Sequence, residues 1–419
     1  MSLMRPRVAV IHPRLSYGGS ETGAMWTLQT LKHDYEVTLV SGGAVDLQRL
    51  NNYYGTDHRR GEFKIHEIRM PLRLDRTAKF AGLRGALFTR DCRRLAASFD
   101  VITSHYNPID LGVPLIQFVA DFSFAPRFQQ TLDPDTAGHL GWWYGDSILR
   151  RAYLNLCDCL APQHPDDWKQ NITVANSRWT ADLLEKNFGI MASRVQFPPV
   201  PGCFPAIPWN DKEDGFVCVG RVVPEKRLDE VIHILRQVRQ RACNIHLHIL
   251  GRLDDSPYAK QIRQLVSRHS GWVHAEGLVT GQAKRELMAR HKFGINGCRR
   301  EAFGIAVAEQ VKAGCITFVP NGGGQTEIVN HPMLTFTDQD DAVTRIQTVL
   351  SSPALQEDLR LHLAGRAKEL STGKFMSTVR QFVAEFLNAK QGAGRMARVT
   401  RSKVTSLPRR RESIGVCAD

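Results

Sequence analysis

Two glutamates eight positions apart are the residues of this chain that most directly suggest chemistry. Glu301 and Glu309 frame the stretch Glu301-Ala-Phe-Gly-Ile-Ala-Val-Ala-Glu309. If a helix begins near Phe303, Glu309 falls in its second turn and Glu301 lies on the loop that enters it. Both carboxylates can then face one cleft at the positive end of the helix, where unpaired backbone N–H groups attract a phosphate. Hydroxyl groups at one end of the cleft and a diphosphate at the other would make a nucleotide-sugar site.

A second motif places two cations where an anion would bind. The segment Phe216–Val219 predicts a short buried strand, and Arg221 and Lys226 follow it. A helix is predicted from about Glu225, because apolar residues recur on one face at Leu228, Val231, Ile232, Leu235 and Val238. Cations oppose the dipole at a helix N-terminus, so an anion held between them accounts for their position. A solvated basic turn is the alternative for this motif alone, but the two glutamates downstream favour a phosphate site.

Alternating strands and helices surround both motifs and predict an α/β fold. Strands are predicted at Arg7–His12, Glu36–Val40, Lys64–Met70, Val101–His105, Leu115–Val119 and Ile172–Ala175, and then near Phe216, Ile245, Val273, Phe293 and Ile316. A proline-rich segment from Pro198 to Pro208 separates the two groups, because it cannot continue a sheet. We therefore expect two doubly wound, mostly parallel sheets with a cleft between them, in domains 1–205 and 206–374.

Two adjacent glycines follow the first predicted strand. Gly18 and Gly19 lie just before Ser20, a candidate N-cap for a helix that runs to about Lys32. Glycines between a strand and a helix allow the backbone to approach a ligand closely. A tight turn without a ligand is the alternative.

These motifs resemble those of glycosyltransferase family 4, the retaining transferases of GT-B fold. The resemblance is carried by Gly220-Arg221 with Lys226, by Glu301–Gly304 with Glu309, and by Gly322–Gly324 with Glu327. It extends from about Pro6 to about Asn388 in the order of elements, and is strongest from about 172 to 330. Two further segments look like those of members that add mannose or similar sugars to lipid-linked glycans: Asn176–Thr180 and Phe197–Val200.

The resemblance implies a role for each residue. Arg221 and Lys226 would neutralise the diphosphate of a nucleoside diphosphate sugar as its glycosidic bond breaks. Glu301, the third catalytic residue, would hold hydroxyls of the transferred sugar. Glu309 would hold the ribose, since a carboxylate can accept two hydrogen bonds from a vicinal diol. The resemblance also implies donor contacts for Gly18, Gly19, Leu278, Val279, Phe303, Gly304 and Ile305. Of these, Leu278 and Val279 would contact the base.

The implied reaction moves a hexose, with retained anomeric configuration, to a glycan or lipid-linked acceptor in glycan or polysaccharide biosynthesis. The departing phosphate would take the acceptor proton, so no protein nucleophile is required. Because Arg221 and Lys226 do the neutralising, we expect neither a cofactor nor a metal ion. The resemblance also implies that a helix from Phe375 to about Ala389 crosses back to the first domain.

One departure from the family pattern affects the first domain. Members commonly carry a histidine that faces the reacting sugar after the strand that ends the cleft wall, but here the strand leads into Asp121. Asp121, or His105 at the end of the preceding strand, could contact the sugar or the acceptor. Asp121 could equally well cap the turn that follows it.

Composition agrees with a cytoplasmic enzyme of two domains. The chain has 419 residues, of which 42% are hydrophobic, and it contains no apolar run long enough to cross a membrane. Its first residues lack the apolar core of a signal peptide, so we expect a cytoplasmic protein. The nine cysteines form no Cys-x-x-Cys motif, and we expect reduced thiols that mostly pack in the interior.

The net charge of +13 calls for an acidic partner or surface. A helix within Arg73–Arg94 would carry a basic face beside an apolar one, which suits either ordinary packing on the first domain or docking on anionic membrane. The basic tail from Lys390 to Asp419 has few large apolar residues, so we expect it to be disordered. No nucleic-acid-binding module accompanies the charge, and we expect no nucleic acid partner.

Three other functions share some of these features. A hydrolase could use Glu301 and Glu309 as paired carboxylates, but a simple glycoside carries no diphosphate for the two cations. A nucleotide-sugar epimerase shares the two-domain architecture, and it would convert the donor without an acceptor. A catalytically silent nucleotide-sugar-binding protein is supported only by the missing histidine.

Overall fold

The computed structural model describes residues 5–71, 74, 80–132, 147–241 and 244–405. Seven parallel strands form the first sheet in the order β3-β2-β1-β4-β5-β6-β7. They are β1 Arg7–His12, β2 Glu36–Ser41, β3 Lys64–Glu67, β4 Val101–Ser104, β5 Ile116–Val119, β6 Ile172–Ala175 and β7 Arg194–Val195. Strands β1 to β6 lie at the six predicted positions, with β3 ending earlier than predicted, whereas β7, two exposed residues, had no predicted counterpart.

Six parallel strands form the second sheet in the order β10-β9-β8-β11-β12-β13. They are β8 Glu213–Val219, β9 His246–Leu250, β10 Val273–Gly277, β11 His291–Ile295, β12 Ile316–Pro320 and β13 Thr335–Phe336. Two parallel sheets joined through helices confirm the predicted α/β class.

Helices connect the strands on both sides of each sheet. In the first half of the chain they are α1 Gly19–Leu31, α2 Leu47–Tyr54, α3 Ala81–Ala96, α4 Pro126–Leu132, α5 Ile148–Leu160, α6 Pro165–Trp168 and α7 Arg178–Phe188. In the second half they are α8 Leu228–Gln240, α9 Pro257–Arg268, α10 Gly281–Arg290, α11 Ile305–Lys312, α12 Gln325–Val329, α13 Gln339–Leu350, α14 Pro353–Glu369 and α15 Thr372–Thr405.

The strand order reverses once in each sheet, and these switch points position the site. In the first sheet the reversal lies between β1 and β4, and in the second between β8 and β11. Crossover connections leave opposite faces at such a point, so a crevice opens beyond the carboxyl ends of the strands. The loop that holds Gly18 follows β1, the loop that holds Lys226 follows β8, and the loop that holds Glu301 follows β11.

Helix α15 returns to the first sheet after the second sheet is complete. Its buried face packs into the core formed by β1, β2 and α1, through Phe375, Val379, Phe382, Val383 and Phe386. The helix continues to Thr405, which corrects the expected disorder for residues 390–405. No proline interrupts the sequence before Pro408, and its alanines, arginines and lysines favour a helix. Residues 406–419 of the predicted tail lie outside the described residues.

Two predicted helix starts are wrong. Helix α1 begins at Gly19 with Gly18 at its N-cap, so Ser20 lies in the first turn and does not cap it. The predicted helix from Glu225 is first a 3₁₀ turn, Pro224–Lys226, and α8 begins only at Leu228. Arg227 separates the two because its φ of 47° is left-handed, which a continuous α-helix does not permit.

The basic helix α3 is built into the first domain. Arg73, Arg76 and Lys79 lie outside the described residues. The apolar face of α3 is buried: Phe88, Cys92 and Ala96 belong to the core under β1 and β4, and Leu87 is buried as well. Arg93 bonds Asp110 at 2.7 Å, and Asp91 accepts from Arg90 and Arg94. This helix therefore presents no apolar stripe to a membrane, which corrects that expectation.

Among the described residues, no helix is both long and apolar enough to span a bilayer.

Candidate functional site

Lys226 and Glu301 form an ion pair between the loops that follow β8 and β11. The ammonium donates to Glu301 Oε2, and about a fifth of each side chain is exposed. Gly297 brings the loops together: a Cβ there would lie 2.6 Å from the carbonyl oxygen of Lys226. Gly220, at a φ of 155°, begins the turn that returns Lys226 towards β8. The sequence predicted both residues at the site, but it did not predict that they bond to each other.

The charges of this pair stabilise one another. Burial alone would lower the pKa of Lys226, but the charge and hydrogen bond of Glu301 together with the neighbouring Cys298 outweigh it and raise the pKa above its ordinary value. Burial would likewise raise the pKa of Glu301, but the charge and hydrogen bond of Lys226 lower it. Both groups are therefore ionised at neutral pH. Arg221 is exposed on the same loop as Lys226, and its charge also helps to lower the pKa of Glu301.

Helix α11 begins two residues after the buried Phe303, close to the predicted start. Gly304 stands at its N-cap with a φ of 101°, a left-handed conformation that glycine adopts without strain. No side chain caps this end of the helix. An anion would be stabilised by N–H groups at the beginning of α11, as at other helix N-termini.

Glu309 lies in the second turn of α11, as predicted, and is paired with a lysine that sequence reasoning missed. Lys284 of α10 donates to both of its carboxylate oxygens, at 2.7 and 2.6 Å. Less than a fifth of either side chain is exposed. The site thus holds two lysine–glutamate pairs, one on the loop that enters α11 and one in the second turn of that helix.

Three glycines let the loop after β12 lie directly on the loop that contains Glu301. A Cβ at Gly322 would lie 2.5 Å from the carbonyl oxygen of Arg299, and Cβ atoms at Gly323 and Gly324 would overlap the backbone of residues 301 and 302. The N–H of Gly324 donates to the carbonyl of Glu301 at 2.8 Å. Larger residues at these positions would displace Glu301 from Lys226.

The glycine loop of the first domain meets α11 from the other side of the cleft. A Cβ at Gly19 would lie 3.0 Å from Cδ1 of Ile305, the first residue of α11. The loop is fixed by Glu21, whose carboxylate accepts from Ser16 and Ser20, and by Tyr54, whose hydroxyl donates to the Ser16 carbonyl. Gly18, Gly19 and Ile305, all predicted as donor contacts, are thus brought together.

Glu327 joins the two domains. Its carboxylate accepts from the N–H groups of Arg178 and Trp179 at 3.0 and 2.9 Å, while Ser177 Oγ accepts from Thr180. These are N–H groups of the first turn of α7, which have no partner within the helix. Ser177 Oγ also donates to the carbonyl of Ala302 at 2.7 Å. A side chain of the second domain therefore caps a helix of the first, beside the loop that carries Glu301.

Leu278 and Val279 follow β10 and lead into α10, the helix of Lys284. Leu278 is 64% exposed, so its side chain is available to a ligand. The rings of Tyr17 and Tyr53 are in contact beside Gly18, with centroids 4.3 Å apart, and Arg49 lies over Tyr17. No motif identified this aromatic pair, because the two tyrosines are brought together only by α2.

Asp121 caps a turn while its contact with a substrate stays a prediction, whereas His105 is enclosed in the core. Asp121 accepts from the N–H of Ser123 at 2.8 Å and so caps the turn after β5, as in the alternative given above. His105 is only 2% exposed, stacked on Phe118 at 4.3 Å. Burial, together with the charge of His12, lowers the pKa of His105 to about 3. A neutral, enclosed imidazole cannot reach a substrate, so the predicted contact by His105 is corrected.

The comparisons with known proteins agree with this geometry. Residues 204–369 match the sequence model of the family described as Glycosyl transferases group 1. This match confirms the resemblance for the second domain. The chain is also 26% identical, over 188 residues, to the GDP-mannose-dependent alpha-(1-6)-phosphatidylinositol monomannoside mannosyltransferase of Mycobacterium tuberculosis. The match covers 42% of this chain and about half, 48%, of the length of that relative.

Solved structures share the fold over nearly the whole chain. The sucrose-phosphate synthase of Thermosynechococcus elongatus aligns with a TM-score of 0.65 at 13% identity, over 92% of this chain and all of that one. WaaG, a glycosyltransferase involved in lipopolysaccharide biosynthesis, aligns with a TM-score of 0.61 at 17% identity, over 89% of this chain and 99% of that one. Anabaena HepE in complex with UDP and glucose aligns with a TM-score of 0.61 at 13% identity, over 91% of this chain and all of that one. These likenesses confirm the GT-B fold.

Replacing Glu327 should loosen the junction between the domains. In Glu327→Ala the N–H groups of Arg178 and Trp179 lose their acceptor, and loss of a cap costs about 0.5–2 kcal/mol. Hydrogen exchange followed by mass spectrometry should show faster exchange in the first turn of α7. Glu357→Ala, which breaks an exposed pair with Arg360, is the matched control and should leave that turn unchanged. Unaltered exchange in Glu327→Ala would show that the cap does not hold the junction.

Proposed function

We propose that this chain is a retaining glycosyltransferase that moves a hexose from a nucleoside diphosphate sugar to a glycan or lipid-linked acceptor. The observation that carries the proposal is the placement of Lys226, Glu301 and the N-terminus of α11 together at the switch point of the second sheet. Such a place binds phosphates through helix N–H groups and ligands in general beyond the strand ends. The matched family and the relative named above support this class of reaction.

In this proposal the cations act on the leaving group. The diphosphate gains negative charge as the glycosidic bond breaks, and Lys226, Arg221 and the α11 N–H groups stabilise that charge. Glu301 would exchange part of its bond to Lys226 for sugar hydroxyls. The departing phosphate would accept the proton of the acceptor hydroxyl, so no metal ion or protein nucleophile is required.

Glu309 would bind the ribose in place of its present partner. Its two oxygens are engaged by Lys284, so a ribose would compete with this lysine or share the carboxylate with it. A freed Lys284 would remain close to the bound nucleotide. Leu278 and Val279, on the loop before α10, would then lie against the base.

The ionised state of Glu301 argues against the alternative function of a hydrolase that uses two carboxylates. Such an enzyme needs one carboxyl group that stays protonated, with a raised pKa, to act as a general acid. Lys226 lowers the pKa of Glu301 instead, and Glu309 forms an ion pair with Lys284.

We further propose that the enzyme works in the cytoplasm at an anionic membrane, where a lipid-linked acceptor would reside. The relative named above acts on a phosphatidylinositol derivative. Helix α5 offers the docking surface: it has no buried residue, and Ile148, Leu149 and Leu156 are 77, 82 and 52% exposed on one face. It packs on α3 through Tyr153, whose hydroxyl accepts from the N–H of Leu83. The exposed Arg151 adds positive charge.

Donor turnover tests the proposed reaction. GDP-mannose and UDP-glucose should each be incubated with a membrane lipid extract, and the products followed by mass spectrometry. We expect nucleoside diphosphate release that depends on the extract. Lys226→Ala and Arg221→Ala should lower kcat by about 10²–10³, because each removes a group aimed at developing charge. The exposed Lys368→Ala is the control and should be unaffected. Near-normal turnover in both variants, or conversion of the donor without acceptor, would refute the proposal.

The two glutamates should separate binding from catalysis. Glu309→Gln should weaken nucleoside diphosphate binding about tenfold or more, since charge-assisted hydrogen bonds contribute about 1.5–3 kcal/mol. Glu301→Gln should leave that binding intact and lower kcat/KM for the complete donor. Calorimetry with the nucleotide and steady-state kinetics measure the two effects. Equal losses of nucleotide affinity in both variants would contradict the assignment.

Co-sedimentation with vesicles tests the docking surface. The protein should bind vesicles that contain phosphatidylserine, and binding should fall with salt because charges are screened within about 10 Å at 0.1 M. Ile148→Asp/Leu149→Asp should abolish binding, since both side chains would enter the interface. Leu361→Asp, at a leucine 65% exposed on α14, is the matched control. Binding that survives the double change would exclude α5 as the docking surface.

A further inference from the structure

Three histidines and a glutamate meet at the amino ends of the central strands of the second sheet. Glu213 is the first residue of β8, His246 and His248 are the first and third of β9, and His291 is the first of β11. Strand β8 lies between β9 and β11, so their amino ends are neighbours at one edge. The nucleotide-sugar cleft lies at the opposite, carboxyl edge of the same sheet.

The ligand atoms converge on one point. One nitrogen or oxygen from each of the four side chains lies within 4.8 Å of the other three. Nε2 of His246 is 3.1 Å from Nε2 of His291, and Oε2 of Glu213 is 3.2 and 3.7 Å from these two nitrogens. Bonds of about 2.0–2.1 Å to a tetrahedral zinc ion place neighbouring ligand atoms roughly 3.3–3.4 Å apart. The three distances between the ligand atoms of His246, His291 and Glu213 are close to this separation.

Two of the imidazoles are oriented as metal ligands usually are. Nδ1 of His291 donates to the carbonyl of Leu287 at 2.7 Å, and Nδ1 of His248 donates to Glu276 Oε1 at 2.7 Å. Each bond requires the proton on Nδ1 and leaves a lone pair on Nε2. Metal-bound histidines in proteins commonly hold their second nitrogen by such a carbonyl or carboxylate.

The backbone keeps space for the cluster. Gly215 of β8 pairs with His246 of β9, and a Cβ at Gly215 would overlap the His246 ring. His291 is fully buried, whereas Glu213 is nearly half exposed, so the cluster is anchored inside and open to solvent on one side. An ion could therefore enter past Glu213.

We propose that Glu213, His246, His248 and His291 bind one Zn²⁺ ion. Three imidazole nitrogens and one carboxylate oxygen form a donor set that suits zinc and other first-row transition metals, and does not suit Mg²⁺. The ion would tie together β8, β9 and β11. A five-residue strand spans about 16 Å, so an ion at this edge does not take part in sugar transfer.

Metal binding by the untagged full chain tests the proposal directly. After EDTA treatment and dialysis, the chain should take up one Zn²⁺, measured by elemental mass spectrometry. Co²⁺ in the same site should give the intense visible absorption of four-coordinate cobalt. Zn²⁺ should raise Tm reversibly, because an ion that binds only the folded chain stabilises it, and Mg²⁺ should not. Absence of stoichiometric Zn²⁺ uptake would overturn the proposal and leave a hydrogen-bonded histidine cluster.

Variants locate the ion. His246→Ala should lose Co²⁺ absorption, while His233→Ala, which removes a histidine on α8 outside the cluster, should retain it. Glu276→Gln should weaken Co²⁺ binding about 10–100-fold through the orientation of His248. Because Glu276 is on the surface, this change keeps the test valid if His246→Ala does not fold. Full Co²⁺ affinity in both His246→Ala and Glu276→Gln would show that the ion binds elsewhere.

Discussion

The ion pair between Lys226 and Glu301 is the contact on which the proposed site depends. It joins loops that follow neighbouring strands on either side of the switch point, and it stands next to a helix N-terminus without a side-chain cap. A partly buried pair of this kind contributes little net stability, since desolvation offsets much of the attraction between the charges. In the proposed function the pair would instead hold an ammonium group ready for phosphate and a carboxylate ready for hydroxyls.

Much of the surrounding backbone serves to keep this pair in place. Gly297 admits the turn that carries Lys226, and Gly322–Gly324 bring the loop after β12 down onto residues 299–302. The first domain also helps to hold the loop that carries Glu301, because Ser177 Oγ donates a hydrogen bond to the carbonyl of Ala302. Glu327, from the second domain, caps α7 in return. Contacts between the domains thus involve the same loop as the proposed substrate contacts. A change in domain orientation would therefore change the position of Glu301.

Local patterns in the sequence predicted most of the fold and the positions of the charged motifs. Short apolar runs fixed the strands, and the motifs around Arg221 and Glu301 lie after the strands expected to carry them. What the sequence did not predict depends on distant packing. Lys284 carries no motif and reaches Glu309 only through the placement of α10. The four residues of the proposed zinc site span 79 positions, and the alignment of three parallel strand ends brings them together. His105 was predicted at the end of a strand, but nothing local showed that it would be enclosed.

A structure of the chain with a bound nucleoside diphosphate would test the central claim most directly. The account predicts diphosphate oxygens within hydrogen-bond distance of Lys226 Nζ and of backbone N–H groups at the start of α11. It also predicts the ribose hydroxyls at Glu309, with Lys284 displaced or shared. A nucleotide bound away from the carboxyl edge of the second sheet, with the Lys226–Glu301 pair out of reach of its phosphates, would contradict it.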